Sequence, residues 1–335
     1  MEVGDWWYSA VAAEAPDSFN GRIRRRMRNA ALGAVLLLSV VYAGLVLTAT
    51  GQRWENTATA GRLTDARLSA EQVAHRIPHE IALSTLGLAL LLLAVTGILR
   101  KRYTATAAAL GVVIASTALA ELLQRYVLHR PDLVGAPAHL LDGGFPSGHT
   151  TLALSVTLGF ALVVPYRLRA IAVGACAVWA TALGFHTVAA GWHRPADLIG
   201  AHLLVLAMVC GTVTLLARKR RVRPAPRHRA PLRTALVTVP VILGVLACLG
   251  AGVLLLTRSL GVPLPVDPST ARLAYESGQL LAAGTGLATA LLLLALLRHV
   301  DLDGTPVQHR RIPEESDVED EITGPFPVEH DHEIS

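Results

Sequence analysis

The chain has 335 residues, 52% of them hydrophobic and only 16% charged, with a mean hydropathy of +0.46. Soluble domains carry about 25% charged residues, so the bilayer is the expected solvent. The formal charge of +5 implies no nucleic-acid partner, because membrane proteins concentrate Lys and Arg in their cytoplasmic loops.

The N-terminal segment, residues 1–27, begins MEVGDWWYSAVAAEAPDSF. It lacks the basic-then-apolar order of a cleavable signal and is expected to be cytoplasmic. Apolar runs then recur near 29–50, 80–99, 104–127, 150–166, 168–190, 196–217, 234–256 and 277–298. A spanning helix needs about 20 mostly apolar residues. The pattern therefore predicts an all-α, polytopic membrane helical bundle of about eight spans, the fourth being the shortest. Cys176, Cys210 and Cys248 each fall inside an apolar run. They read as small packing residues, with no disulfide or metal framework.

The charges between the runs test this count. GRIRRRMR (21–28), RKR (100–102), RLR (167–169), RKRRVRPAPRHRAPLR (218–233) and RH (298–299) all reach one side if every run spans. The positive-inside rule makes that side the cytoplasm, with both termini there. The basic loop 218–233 is expected to serve topology and attraction to anionic lipid; pairing with the acidic tail is the alternative. That tail, 299–335, contains EESDVEDE and has too little apolar surface to offset its ordering entropy, so disorder is expected. The opposite face receives loops 51–79, 128–149, 187–195 and 257–276. The first of these could hold a short surface helix. His75 and His79 within it are four apart, but Pro78 disfavours the regular helix that a metal pair would need.

Three ionisable segments meet that opposite face: HRP (129–131), FPSGHTT (145–151) and GWHRPAD (191–197). Polar groups at helix ends in a membrane are costly unless paired or facing water, so they are functional candidates. The chemistry they suggest is phosphoryl transfer. Pro146-Ser147-Gly148 turns into a helix N-terminus, where unpaired N–H groups and the dipole favour an anion. Gly148 permits close approach of the backbone, and the Ser147 hydroxyl can cap the helix or donate to phosphate. Arg130 offers a planar fork for two phosphate oxygens. His193 can attack phosphorus as neutral imidazole, Asp197 one turn on can fix its tautomer, and His149 can protonate the leaving oxygen. His202, deeper in the sixth run, reads as a packed or hydrogen-bonded interior residue.

The order RP, PSGH, HxxxD resembles the type 2 phosphatidic acid phosphatase superfamily, membrane relatives of the vanadium haloperoxidases. The resemblance covers residues 28–217, a six-helix phosphatase-like core, and leaves out the two further helices of 234–298. It implies a metal-independent, cofactor-free lipid phosphatase with His193 as nucleophile, Asp197 as its orienting carboxylate and His149 as general acid. Arg130, Ser147 and Gly148 would hold the phosphate. The substrate would be an isoprenoid diphosphate or a glycerophospholipid phosphate, its tail remaining in the bilayer.

Two positions depart from the family pattern. Leu123 stands where the first motif has lysine, and His186-Thr187 stand where the third has Ser-Arg. Arg194 and Arg125 are expected to restore part of the missing charge, and His186 part of the hydrogen bonding. The alternative is a catalytically impaired member that binds phosphorylated lipid. A transporter fits less well, since its charges would sit near mid-span.

Overall fold

Each of the eight apolar runs forms a helix in the computed structural model, which describes residues 16–62, 79–135, 144–225, 231–261 and 266–302. Helix α1 (Pro16–Val41) runs into a π-helical turn, Tyr42–Val46, and is followed by a short helix α2 (Ala49–Gly61). Then come α3 (His79–Leu99), α4 (Tyr103–Leu122, continued as a π turn Leu123–Val127), α5 (Gly148–Val163), α6 (Tyr166–Ala189) and α7 (Pro195–Arg218). Two more helices, α8 (Pro231–Ser259) and α9 (Pro268–Leu296), complete the bundle, with strands β1 (Val222–Pro224) and β2 (Val300–Leu302). Among the described residues, six helices are long and apolar enough to cross a membrane, while Leu86–Leu99 and Gly148–Val163 are shorter apolar helices. Helix α5 is short because it starts at the Pro146-Ser147 turn and stops before Pro165. Its 16 residues span about 24 Å at 1.5 Å per residue.

Helix α7 is the axis. Leu198, Leu204, Val205, Leu206, Val209 and Val213 are buried on it, and α1, α4, α5 and α9 pack around it. Helix α8 lies outermost, with Leu236, Leu243 and Leu246 exposed where a bilayer would supply the apolar solvent. Interior His202 meets Thr285 of α9 at 3.0 Å.

The two ends of the bundle differ. At one, Arg102 pairs with Asp301 and also donates to the Val163 carbonyl at 3.3 Å. Buried Arg169 donates to the carbonyl oxygens of Leu297 at 3.3 Å and Val300 at 2.8 Å. Strands β1 and β2 pair antiparallel there, Val222 opposite Leu302 and Pro224 opposite Val300. The basic loop thus meets the first residues of the segment expected to be a disordered tail. Val300 and Leu302 are buried against the core, apolar content that the tail's average acidity concealed. Residues 303–335 lie outside the described residues.

At the other end, loop 51–79, which could hold a short surface helix, contains the end of helix Ala49–Gly61, packed inward on Gln52, Trp54, Glu55 and Ala58. Thr48 caps it, accepting the Gly51 N–H at 3.0 Å. Buried Trp54 donates from Nε1 to Ser259 Oγ at 3.1 Å. Gly61 seats α2 against α9, since a Cβ there would lie 2.0 Å from the Ala271 carbonyl oxygen. The pair His75 and His79 has His75 outside the described residues.

Candidate active site

Helix α6 ends in a turn through Gly191, whose φ of +74° suits glycine, and Arg62, just past the end of α2, donates to the Ala190 carbonyl at 2.7 Å. The chain re-enters the bundle at Pro195, the first residue of α7 and a favoured place for proline. Gly278 of α9 allows this approach, because a Cβ on it would sit 2.4 Å from Pro195 Cγ.

Fully buried Asp197 is the hub. Its Oδ2 accepts the Arg194 backbone N–H at 3.0 Å and lies 3.8 Å from His193 Nδ1. Its Oδ1 accepts from Arg130 Nη2 at 3.4 Å. Its own carbonyl accepts the Ser147 N–H at 2.9 Å. One residue therefore touches all three segments singled out in the sequence. With Nδ1 turned to Asp197, Nε2 of His193 is the ring nitrogen left for a substrate.

Ser147 is buried and caps α5, its hydroxyl accepting the Thr150 N–H at 3.3 Å and donating to Thr150 Oγ1 at 3.0 Å. Around Gly148 a Cβ would meet nothing within 4 Å, so the space beside this first residue of α5 is open. His149 faces His193 with ring centroids 5.9 Å apart, and Trp192 at 6.3 Å.

Arg130 brings a residue that the sequence reading missed. Its Nη1 donates to Oε2 of Glu55 at 2.5 Å, with side-chain exposures of 2% and 0%. The other Glu55 oxygen, Oε1, accepts the Ala196 N–H at 3.1 Å. Gln52, on the same face of α2, donates to the Pro131 carbonyl at 2.6 Å and accepts the Leu133 N–H at 3.2 Å. Tyr42 donates to the His129 carbonyl at 2.6 Å. Nothing local in the sequence marks Glu55. Its only signal is a carboxylate beside a tryptophan on the face that carries the motifs.

The charges perturb one another. Burial pushes the Glu55 carboxyl above the usual carboxylate range, against the pull of Arg130. Burial works to lower the Arg130 guanidinium, but Glu55 and Asp197 outweigh it and hold it above its ordinary value. Arg194, buried and beside Arg130, is lowered. Three buried nitrogens of this cluster lack a hydrogen-bond partner: Arg130 Nε, Arg194 Nη2 and His193 Nδ1. A buried N–H left unpaired costs about 1–3 kcal/mol.

Arg194 lies within the electrostatic reach of Arg130, Glu55 and Asp197. Arg125 and His186 are not brought there. Arg125 is exposed and pairs with Glu121 one turn away, because the π turn Leu123–Val127 presents it outward. His186 lies on the exposed face of α6, and its neighbour Thr187 is the one turned inward, bonded to the Gly184 carbonyl at 2.8 Å. Among the described residues no three His, Cys, Asp or Glu side chains gather to hold a metal ion.

Residues 103–223 match the family model of the PAP2 superfamily. No curated protein matches the chain, and no solved structure does. The matched segment runs from the start of α4 to β1 and includes Arg130, Ser147, His149, His193 and Asp197, but neither α2 nor the pair α8–α9.

Proposed function

We propose that the chain is a member of the PAP2 superfamily and an integral membrane phosphatase that releases phosphate from a lipid phosphate or diphosphate, through a phosphohistidine on His193. The observation that carries the reading is the convergence on Asp197: Arg130, His193 and Ser147, from three chain segments, all meet it. Nε2 of His193 attacks phosphorus, the bond to the leaving oxygen breaks, and His149 gives that oxygen its proton. Water then attacks phosphorus and the bond to Nε2 breaks, while His149 takes a proton from that water, so that inorganic phosphate leaves and His193 is free again. Arg130, Arg194 and the open N-terminus of α5 balance the charge on the transferring group.

A lipid substrate is supported by the site's place at the helix ends of a bundle whose flanks are apolar. The tail would stay in the bilayer while the headgroup enters beside Trp192. An extracytoplasmic site is supported by the opposite end, where Arg102, Arg169, Arg220 and Arg298 gather with the strand pair. By the positive-inside rule that end, and the termini, would be cytoplasmic.

A second reading, binding of phosphorylated lipid without turnover, is favoured by one feature: both Nη groups of Arg130 are held by carboxylates, and Leu123 and Thr187 supply no charge. Phosphate release by the purified protein separates the two. The panel is an isoprenoid diphosphate, phosphatidate and phosphatidylglycerophosphate, each with chelator, for wild type and His193→Ala. Chelator-resistant turnover that His193→Ala abolishes supports the phosphatase. Binding without release, indifferent to His193, supports the binder.

A further inference from the structure

We propose that Glu55 is a positioning residue of the phosphate site, holding the Arg130 guanidinium and the first turn of α7 in one fixed relation. The proposal rests on the phosphatase reading above, but the residue lies on α2, outside the matched segment 103–223.

A fully buried carboxylate needs a reason. Isolated burial of charge is costly, and a buried ion pair is weak support for stability because apolar residues of similar volume often serve as well. Glu55 is nonetheless enclosed and spends both oxygens: Oε2 on Arg130 at 2.5 Å and Oε1 on the Ala196 N–H at 3.1 Å. Ala196 lies between Arg194 and Asp197, so the second bond fixes the turn that carries the nucleophile's carboxylate. Asp197 takes the other Nη of Arg130. The guanidinium is thereby gripped from two sides, while its Nε has no hydrogen-bond partner, and neither has Arg194 Nη2. Gln52, three residues before Glu55, grips the backbone on the far side of Arg130. Helix α2 thus presents one face, Gln52 and Glu55, to the Arg130 loop.

The chemistry separates positioning by charge from filling of space. Glu55 accepts from two N–H donors with two oxygens. A glutamine has the same shape but one oxygen, so its NH2 must oppose either Arg130 or Ala196. An aspartate keeps the charge and both acceptors but is one methylene short. If Glu55 merely fills space, E55Q is the milder change; if it positions Arg130 by charge, E55D is.

The test uses the full chain in detergent, with the preferred substrate from the lipid panel, thermal unfolding as a check of folding, and calorimetric binding of inorganic phosphate. E55Q is expected to lose about a hundredfold in kcat/KM, the order expected when a catalytic group is displaced by an ångström, and to bind phosphate more weakly. E55D is expected to lose less of both. Wild-type kcat/KM and phosphate affinity in E55Q, or E55Q outperforming E55D, would overturn the proposal while leaving the phosphatase reading intact. If E55Q does not fold, wild-type values in E55D overturn it. If wild type releases no phosphate from any lipid, the phosphatase reading fails instead; phosphate affinity alone then decides, and an unchanged value in E55Q overturns the role of Glu55.

Discussion

At the scale of single residues, the site is organised by which cation can reach it. Sequence spacing offered Arg125 and Arg194 alike as replacements for the missing charges. Only Arg194 is buried in the cluster with an unpaired Nη2, whereas Arg125 is paired outward with Glu121. Removing one preorganised donor to a transferring phosphoryl group costs about 10²–10³ in kcat. Arg194→Ala is expected to lose that much phosphate release, and Arg125→Ala to remain near wild type, in the same steady-state assay. Asp197 carries a larger burden, since it serves His193, Arg130 and the Arg194 N–H together. Asp197→Asn keeps the volume but puts an NH2 toward one of those partners. By analogy with the orienting carboxylate of a catalytic triad, its kcat is expected to fall on the order of 10³–10⁴-fold. Turnover of Asp197→Asn within tenfold of wild type would mean that His193 is oriented by something else.

At the scale of elements, the helices after the matched segment have a job in the site. Helix α9 meets α2 through Gly61 and α7 through Gly278, and α8 holds Trp54 through Ser259. The last two helices thereby brace the elements that carry Glu55 and His193. Gly278→Leu forces Pro195 to move, since even a Cβ would lie 2.4 Å from its ring. Overpacking of this kind costs about 1–3 kcal/mol. The variant is expected to melt at lower temperature and to lose kcat although it touches no substrate; unchanged turnover would detach α9 from the site. This bracing was hardly legible in the sequence. The eight apolar runs were, because hydrophobic length is a local signal, and so was the His193–Asp197 spacing, because one helical turn fixes it. Glu55 was not, because α2 is placed by Trp54 and Gly61 against helices some two hundred residues further on. The inward face of α6 was misjudged for the same reason: His186 and Thr187 are adjacent, and only packing decides which of them turns inward.

At the scale of the whole molecule, charge segregates between the two ends. The site end holds balanced charge, with Arg130 and Arg194 against Glu55 and Asp197. The other end holds Arg102 and Arg169 around Asp301, and exposed Lys219 and Arg220 beside the strand pair. Both sets cannot face the same compartment, because successive helices carry the chain from one end to the other. If the basic end is cytoplasmic, a lipid must present its phosphate on the outer leaflet to be dephosphorylated, and the product phosphate is released outside. Two variants, each with one added cysteine, test this in intact cells: Leu133→Cys beside Arg130 and Lys219→Cys beside β1, both at exposed positions. The native Cys176, Cys210 and Cys248 lie within α6, α7 and α8, away from either end. A membrane-impermeant maleimide is expected to label Leu133→Cys in intact cells and Lys219→Cys only after the membrane is opened. The reverse pattern would place the site in the cytoplasm and make its substrate an inner-leaflet lipid. The active-site chemistry would stand unchanged, since nothing in the geometry around Asp197 depends on which compartment it faces.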